Sequence, residues 1–512
     1  MTKKINIGIL IDDLKNLNDG EIKTIFEILK SSFINVHTIF KINPSLIDKN
    51  SYSTSIIYKL ISLIEKRYSN ITRSYEKNKI RNFLKIQKKK IINIDHENEF
   101  IKKYQIKKKI NKLDLILLLD DKYLKYFKFK KYPKHGIWTV NYASRHNYFA
   151  GFWECYLSKG VSNVLLKRNT SNKNYTFDLG HYSTRTTSWF LNREFIFEKA
   201  SSLIIKNLKL IYTKNKNPTK IDFVKTFDDP SKFILLIYIL KKYPIALIRN
   251  LLNVIFKITK VKYYFEPNFS PWNIYIGNKN KNENINFRNT KRIKPKNGEE
   301  WADPFLINYK DSNYLFFENY EFKNQKGKIS FSKIINNNIT KIFDALNLDY
   351  HLSYPFLWFE KDCFFMMPES AQKKCVQIWK SKKFPHKWTH YKKLFKGKSC
   401  VDTTILDDKA GNRWIFTNMS NDKFDDHNSE LYIFKTDKNF NKIISHKLNP
   451  VIIDSRYARN AGNIFYDKRG FLLRPSQKNT HNLYGGGLNI RKIKKLNIKE
   501  FVEENFTTHH PN

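Results

Sequence analysis

Cysteine is scarce in this chain of 512 residues: Cys155, Cys363, Cys375 and Cys400 are scattered without paired spacing. That argues against a disulfide framework and against a structural zinc site. With no His/Cys cluster elsewhere, no metal is expected. Arginine is sparse beside lysine, so the residue that makes forked contacts to phosphate and guanine is largely missing, although the formal net charge is +46. The surplus of Lys, Asn and Ile follows the codon skew of an AT-rich genome. The charge is therefore read as a solvated basic surface, and nucleic acid is not expected as a partner.

No apolar run reaches the roughly 18–20 residues of a membrane-spanning helix. The longest, Phe233 to Leu240, is broken by Lys241, Lys242 and Pro244. It reads as a packed inter-domain helix, with a membrane surface as the other place it suits. The start, Met1 to Leu10, gives way to Asp12-Asp13 after a brief apolar run, which fits a buried first strand and not a signal peptide. The expected location is the cytoplasm, with peripheral membrane contact as its variant. A Gly-rich phosphate loop is missing too, so no dinucleotide site is supported.

What is present suffices for real cores: 41% of residues are hydrophobic and 15% aromatic, in a chain long enough for two or three domains. Residues 5–11, 20–33 and 34–41 alternate strand, helix and strand, opening an α/β sheet that resumes at Leu113–Leu119 and Gly136–Asn141. This α/β domain covers 1–205, with a Lys-rich helical insertion at 50–110. A helical linker follows over 206–261, then a β-rich region over 262–500 and a tail over 501–512.

The β-rich region repeats itself. Trp301-Ala-Asp-Pro-Phe-Leu306, Ser353-Tyr-Pro-Phe-Leu357, Val401-Asp-Thr-Thr-Ile-Leu406 and Arg459-Asn-Ala-Gly-Asn-Ile-Phe465 each open a segment with a polar residue ahead of an apolar strand. Their openers Asp303, Tyr354, Asp402 and Asn460 stand 51, 48 and 58 positions apart. A period of about 40–50 residues with several short strands per unit predicts a β-propeller, here five-bladed. Phe269 to Ile276 would start the fifth blade, closed by a strand around Leu488–Ile493.

In a propeller the innermost strands begin near the axis, so their first polar side chains share one funnel. The second strands end at Glu318, Glu369, Asn418 and Gln477, and the funnel would collect Asp303, Glu318, Glu369 and Asp402 with Arg459, Asn460, Arg474 and Gln477. The expected catalytic set is Asp303, Glu369 and Asp402, because carboxyls crowded in a partly dry funnel separate into a protonated acid and an ionised base or nucleophile. Glu318 reads as a rim or salt-bridge residue. Trp301, His351, Tyr354, Arg459, Asn460, Arg474 and Gln477 are candidates for substrate binding, and Trp358, Trp388 and Tyr484 for stacking on sugar faces. This equipment suits glycosidic chemistry. Asp and Asn at such positions can equally cap nearby backbone.

The Trp-Ala-Asp-Pro-Phe opener resembles the first-blade motif of five-bladed arabinanase, xylosidase and fructosidase propellers. That resemblance gives Asp303 the role of base or nucleophile. Over roughly 262–495, His351-Leu-Ser-Tyr-Pro-Phe, Met367-Pro-Glu-Ser, Val401-Asp-Thr-Thr-Ile, His446-Lys-Leu-Asn-Pro-Val, Arg459-Asn-Ala-Gly and Arg474-Pro-Ser-Gln resemble the N-terminal domain of glucosamine inositolphosphorylceramide transferases. It implies a carbohydrate-active protein in surface glycan biosynthesis or modification, with a carbohydrate or nucleotide sugar as substrate.

Residues 5–205 resemble the formyltransferase fold in outline. Asn141 ends a strand where that family has a catalytic Asn, Asp178 stands for its Asp, and Ala143 occupies the place of its His. The resemblance implies a reduced-folate formyl donor if this site is active; otherwise no cofactor is expected. Three readings stay open: carboxylate chemistry on a sugar in the propeller, formyl transfer to an amino sugar, and a non-catalytic glycan-binding scaffold.

Overall fold

The computed structural model describes residues 4–11, 17–42, 56–68, 82, 91–94, 111–127, 132–214, 219–221, 224–259, 272–277 and 290–510. Its N-terminal part is a mixed sheet. Strands β1 (Ile5–Leu10), β2 (Ile34–Ile42), β3 (Ile91–Ile94), β4 (Leu115–Leu118) and β5 (Ile137–Asn141) are parallel to one another. Strands β6 (Val161–Asn169) and β7 (Asn174–Ser183) add an antiparallel edge, in the order β3-β2-β1-β4-β5-β6-β7. Every residue of β4 and β5 is buried, as expected of central strands covered on both faces.

Helix α1 (Asp19–Lys30) is started by a capping box in which Asn18 and Glu21 satisfy each other's backbone N–H groups. Gly20 lets α1 lie against helix α3 (Trp189–Lys214), since a side chain there would strike the Phe197 carbonyl. Helix α2 (Ile56–Tyr68) and helix α4 (Lys232–Thr259) cover the other end of this domain. The segment 50–110, expected to be a helical insertion, also supplies β3 to the sheet; most of its remainder lies outside the described residues. Lys241, Lys242 and Pro244 do not end α4, which runs through them. Among the described residues, no helix is long and apolar enough to cross a membrane.

The C-terminal part is a propeller-like all-β domain. A hairpin of β8 (Ile274–Gly277) and β9 (Thr290–Ile293) precedes it. The first blade comprises β10 (Glu299–Tyr309), β11 (Ser312–Glu321), β12 (Lys326–Ile335), β13 (Asn338–Ile339) and β14 (Phe343–Leu346). The second has β15 (Ser353–Glu360), β16 (Cys363–Glu369), β17 (Val376–Lys383) and β18 (Lys387–Leu394). In the third are β19 (Ser399–Asp407), β20 (Arg413–Ser420), β21 (Glu430–Thr436), β22 (Ile443–Ser445) and β23 (Ile452–Ile453). The fourth holds β24 (Phe465–Tyr466), β25 (Leu472–Gln477), β26 (Leu488–Asn497) and β27 (Glu500–His509).

Two expectations are corrected by this topology. The described residues form four blades, not five, because the Leu488–Asn497 strand finds its partners in β25 and β27 and leaves β8 unpaired with it. Residues 501–509, expected to be a tail, are the outer strand of the fourth blade. The β8–β9 hairpin packs Ile274 and Ile293 on Trp301, Leu315 and Phe317 of the first blade, and meets the fourth through Trp272 and Tyr484, with ring centroids 5.4 Å apart.

A polar interface ties the two domains together. Lys199 on α3, almost fully buried, lies 2.6 Å from Asp422, 2.6 Å from Asp426 and 3.7 Å from Glu430. Beside it Lys423 pairs with Asp19 of α1 at 2.7 Å, and Glu198 accepts from the Lys423 N–H and from Lys23. Phe195 meets Phe424 edge to face, and the Ser455 N–H bonds the His181 carbonyl at 2.8 Å.

Candidate functional site

The first three inner strands share one local device. Each carries a register shift against its neighbour, between Ala302 and Phe305, Ser353 and Phe356, and Val401 and Thr404. At the shift sit Asp303, Tyr354 and Asp402, all left-handed with φ of 49°, 44° and 46°. Such a bulge re-aims a side chain at a local cost in strain, which Asp tolerates and Tyr scarcely does. In the fourth blade Asn460 takes the corresponding place, opposite Ser476. The register pairs Ala302 with Glu318, Ser353 with Glu369 and Val401 with Asn418, and the Gln477 N–H bonds the Arg459 carbonyl. One ring of three bulge residues and Asn460 is thus backed by a second ring of Glu318, Glu369, Asn418 and Gln477.

These rings open on a cleft of about 400 Å³, within the range of small-molecule sites. Asp303, Glu318, Glu369, His351 and Arg459 line it together with Trp272, Tyr320, Phe322 and Tyr484. Arg459 organises the floor. Its Nε donates to Asp402 at 2.6 Å, one terminal nitrogen donates to Asn428 at 3.0 Å and the other lies 3.9 Å from Glu369; its guanidinium covers the Tyr484 ring at 4.6 Å.

Asp303, Glu369 and Asp402 therefore crowd a single guanidinium, with Glu318 and Glu300 beside them at the cleft, and they cannot all ionise. Burial, then the charge of Asp402, raise Asp303 to about 7; Arg459 and the Tyr354 N–H, donated to Asp303 at 3.2 Å, hold it back. Glu369 is pushed well above the usual carboxylate range, first by burial and then by Asp402, to which its protonated carboxyl donates a hydrogen bond. Glu318 is pushed up likewise, by burial and then by Asp303 and Glu369. His351 accepts the Gly327 N–H on Nδ1 at 2.9 Å, which puts its proton on Nε2, 3.3 Å from Glu318. Burial also lowers the His351 pKa, so the ring is neutral and does not draw the proton off Glu318. The site thus offers two glutamates that hold their protons more tightly than usual, beside a carboxyl that titrates near neutrality.

Of the residues expected here, Asp303, Glu369, His351 and Arg459 line the cleft, and Asp402 lies beneath it in the Arg459 ion pair. The others serve the walls. Tyr354 is buried, its hydroxyl accepting the Gly462 N–H at 2.9 Å and lying 2.9 Å from Thr404 Oγ1, so it ties the second blade to the third and fourth. Trp301 is buried against Phe317 and donates to Glu299. Arg474 is fully buried, paired with Glu503 at 2.8 Å and bonded to Asn460, which itself donates to the Asp402 carbonyl. Gln477 donates to the Tyr484 hydroxyl at 3.2 Å.

Trp358 stacks on Phe365, and Trp388 donates to the Pro385 carbonyl, both away from the cleft. Glu318, expected at the rim, stands among the other carboxyls. Sequence reasoning missed Trp272, Tyr320 and Phe322. The last two follow Glu318 at strand spacing and so share its face, a signal that was there to be read. Among the described residues, no group of three or more His, Cys, Asp or Glu is arranged to hold a metal ion.

In the N-terminal domain Asn141 and Asp178 have separate partners. Asn141 donates to Asp121 at 2.7 Å and to the Ser144 carbonyl, while Asp178, two strands away on β7, accepts from Asn207 of α3. Ala143, near Asn141, has a left-handed backbone.

The fold and site together define an α/β domain joined to a propeller-like domain with a carboxyl-lined cleft. Residues 290–510 match the family described as glucosamine inositolphosphorylceramide transferase 1, N-terminal. Glucosamine inositolphosphorylceramide transferase 1 of Oryza sativa subsp. japonica is 32% identical over 206 residues, which are 40% of this chain and 27% of that protein. The Arabidopsis thaliana protein of the same name is 32% identical over 207 residues, 40% of this chain and 26% of its own. The chain thus spans about a quarter of the length of these curated relatives. Among solved structures, a family 117 glycoside hydrolase from Zobellia galactanivorans matches with a TM-score of 0.32 at 11% identity, covering 46% of this chain and 74% of its own. A thermostable family-43 glycoside hydrolase matches at 0.31 and 10%, covering 42% and 77%. Likenesses this faint carry no chemistry across.

Proposed function

We propose that this is a carbohydrate-active protein that acts on a glycosidic bond held in the propeller cleft, in the assembly or modification of a surface glycan. The observation that carries the reading is the crowding of Asp303, Glu318, Glu369 and Asp402 at a cleft with one guanidinium, with Asp303 titrating near 7 and Glu318 and Glu369 above the usual range. A proton donor for a leaving oxygen and a base or nucleophile for the sugar are then present together at neutral pH. Asp303 takes the second role, and Glu369 or Glu318 the first. Asp402 keeps Arg459 in place and, through its charge, keeps Glu369 protonated. The rings of Trp272, Tyr320, Phe322 and Tyr484 suit the apolar faces of a sugar. The matched relatives' name, glucosamine inositolphosphorylceramide transferase, agrees with a sugar substrate.

The test is a calorimetric screen of the full chain against oligosaccharides and nucleotide sugars, followed by turnover assays on the ligands that bind. Asp303→Asn, Glu369→Gln and Glu318→Gln should keep sugar affinity within a few-fold. Asp303→Asn and one of the two glutamine variants should lose turnover by about 10²–10⁴-fold, the usual worth of a positioned acid or base. Binding without turnover in the wild type would favour the glycan-binding scaffold, and no sugar binding at all would remove the proposal. Formyl transfer to an amino sugar ranks lower, because Asn141 and Asp178 hold separate partners; it requires measurable affinity for a reduced folate.

A further inference from the structure

Among the described residues, the most exposed apolar side chains take no part in the cleft and lie on α2 and α4. On α4, Phe233 is 69% exposed, Leu236 43%, Leu240 64% and Ile248 60%. They follow one another at three-, four- and eight-residue steps, so they form a stripe along one side of the helix. On α2, Ile56 is 83% exposed, Leu60 47% and Leu63 67%, again at helical spacing. Both helices press their opposite sides into a single aromatic cluster: Tyr58 and Ile61 from α2 and Leu235 and Tyr238 from α4 meet Phe149, Phe152, Trp189 and Phe190.

Buried Glu65 locks this arrangement. It accepts the Tyr238 hydroxyl at 2.8 Å, the Tyr243 hydroxyl at 3.3 Å and the Phe190 N–H at 3.3 Å, and it also accepts the Ser188 hydroxyl. With both inner sides fixed on one cluster, the outer stripes of the two helices both point away from it. A water-facing helix pair would carry polar residues there.

The charges around the stripes decide what covers them. Helix α4 contains Lys232, Lys241, Lys242, Arg249 and Lys257 and no Asp or Glu; the one acid of α2 is the inward Glu65. Lys59, Lys232 and Lys241 are exposed beside the apolar residues. We infer that this face is a docking surface for an anionic lipid bilayer, its apolar side chains entering the headgroup boundary while the lysines meet lipid phosphates. A second copy of this chain is a poorer occupant, because pairing two such faces brings lysines against lysines in a molecule of formal net charge +46. Nucleic acid would meet the lysines but leave the leucines and Phe233 without a partner.

The experiment is co-sedimentation of the full chain with vesicles of phosphatidylcholine alone or with about a third phosphatidylserine, at about 0.1 M and 0.5 M salt. Wild-type protein should pellet with the anionic vesicles, bind pure phosphatidylcholine at least tenfold more weakly, and weaken several-fold at the higher salt. The triple variant Phe233→Ser, Leu236→Ser, Leu240→Ser should lose at least tenfold in vesicle affinity. Its thermal midpoint should match wild type, since these side chains face outward. Lys232→Ala with Lys241→Ala should lose several-fold on anionic vesicles and little on neutral ones. The inference is overturned if wild type stays in the supernatant with every vesicle, or if the serine variant binds like wild type. It is equally overturned if wild type is a dimer that the serine variant dissolves without change in vesicle binding.

Discussion

Asp303→Asn should stabilise this protein above neutral pH while removing the base or nucleophile proposed for the cleft. Burial beside Asp402 lifts Asp303 from an ordinary value of 3.8 to about 7. At about 1.4 kcal/mol for each tenfold change in proton affinity, that difference is worth up to ~4 kcal/mol. The sign follows from where the proton is held more tightly. Below about pH 4 both folded and unfolded chains carry it, and the carboxyl costs nothing. Between pH 4 and 7 the unfolded chain releases it first, so stability falls as pH rises, and the full penalty is present above about 7.

Asparagine removes the penalty and little else. Its amide oxygen can still accept the Tyr354 N–H, and it tolerates the left-handed backbone as aspartate does. The variant should therefore exceed wild type by ~2–4 kcal/mol at pH 8 and lie within ~1 kcal/mol of it near pH 4.5. Urea unfolding followed by tryptophan fluorescence at both pH values measures this, with Trp301, Trp358 and Trp414 reporting on the propeller-like domain. An equal effect at the two pH values, or a variant less stable at pH 8, would refute burial and Asp402 as the source of the raised pKa.

Three further outcomes follow from the same geometry. Arg459→Met leaves Asp402 buried without its counter-ion and should cost ~3–5 kcal/mol at pH 7, less at pH 4.5, as read by thermal unfolding. Lys199→Met leaves Asp422, Asp426 and Glu430 facing one another at the domain interface. It should also cost ~3–5 kcal/mol at pH 7, and the loss should shrink as acid protonates the carboxyls, because Lys199 holds Asp426 below the usual carboxylate range. Tyr354→Phe removes the hydroxyl that joins Gly462 and Thr404 and should cost ~1–3 kcal/mol, with the pH dependence of turnover unchanged if the tyrosine only ties blades together.

Much of the site could be read along the chain because its parts recur. The spacing of Asp303, Tyr354, Asp402 and Asn460 marks the inner strands, and the ends of the second strands mark Glu318, Glu369, Asn418 and Gln477. Which of these face the cleft is not periodic information. Arg474 and Asn460 look like binding residues until Glu503 and the Asp402 carbonyl are seen to use them, and Glu503 comes from the last strand, in a segment expected to be a tail. The fifth blade was misjudged for a related reason: an apolar strand near residue 490 fits a closing role as well as it fits the fourth blade, and pairing with β25 decides the matter through distant residues. Trp272 had no signal, since its place over Tyr484 depends on how the first hairpin meets the last blade.

The two rings also explain why a repeated fold yields an asymmetric site. At the bulge, the four blades carry Asp303, Tyr354, Asp402 and Asn460; behind it they carry Glu318, Glu369, Asn418 and Gln477. Carboxyls in all eight places would repel too strongly to be buried together with one guanidinium. Instead, the third and fourth blades fill the second ring with amides, of which Asn418 satisfies the Glu430 and Ala458 carbonyls and the Asn460 N–H. The second blade fills the first ring with a phenol that ties the blades together. The acids that remain in the first two blades open on the cleft, and Asp402 of the third is neutralised by Arg459 from the fourth. The acids that open on the cleft therefore belong to one side of the funnel, and the other side supplies the counter-charge and the rigidity that let those acids stay buried.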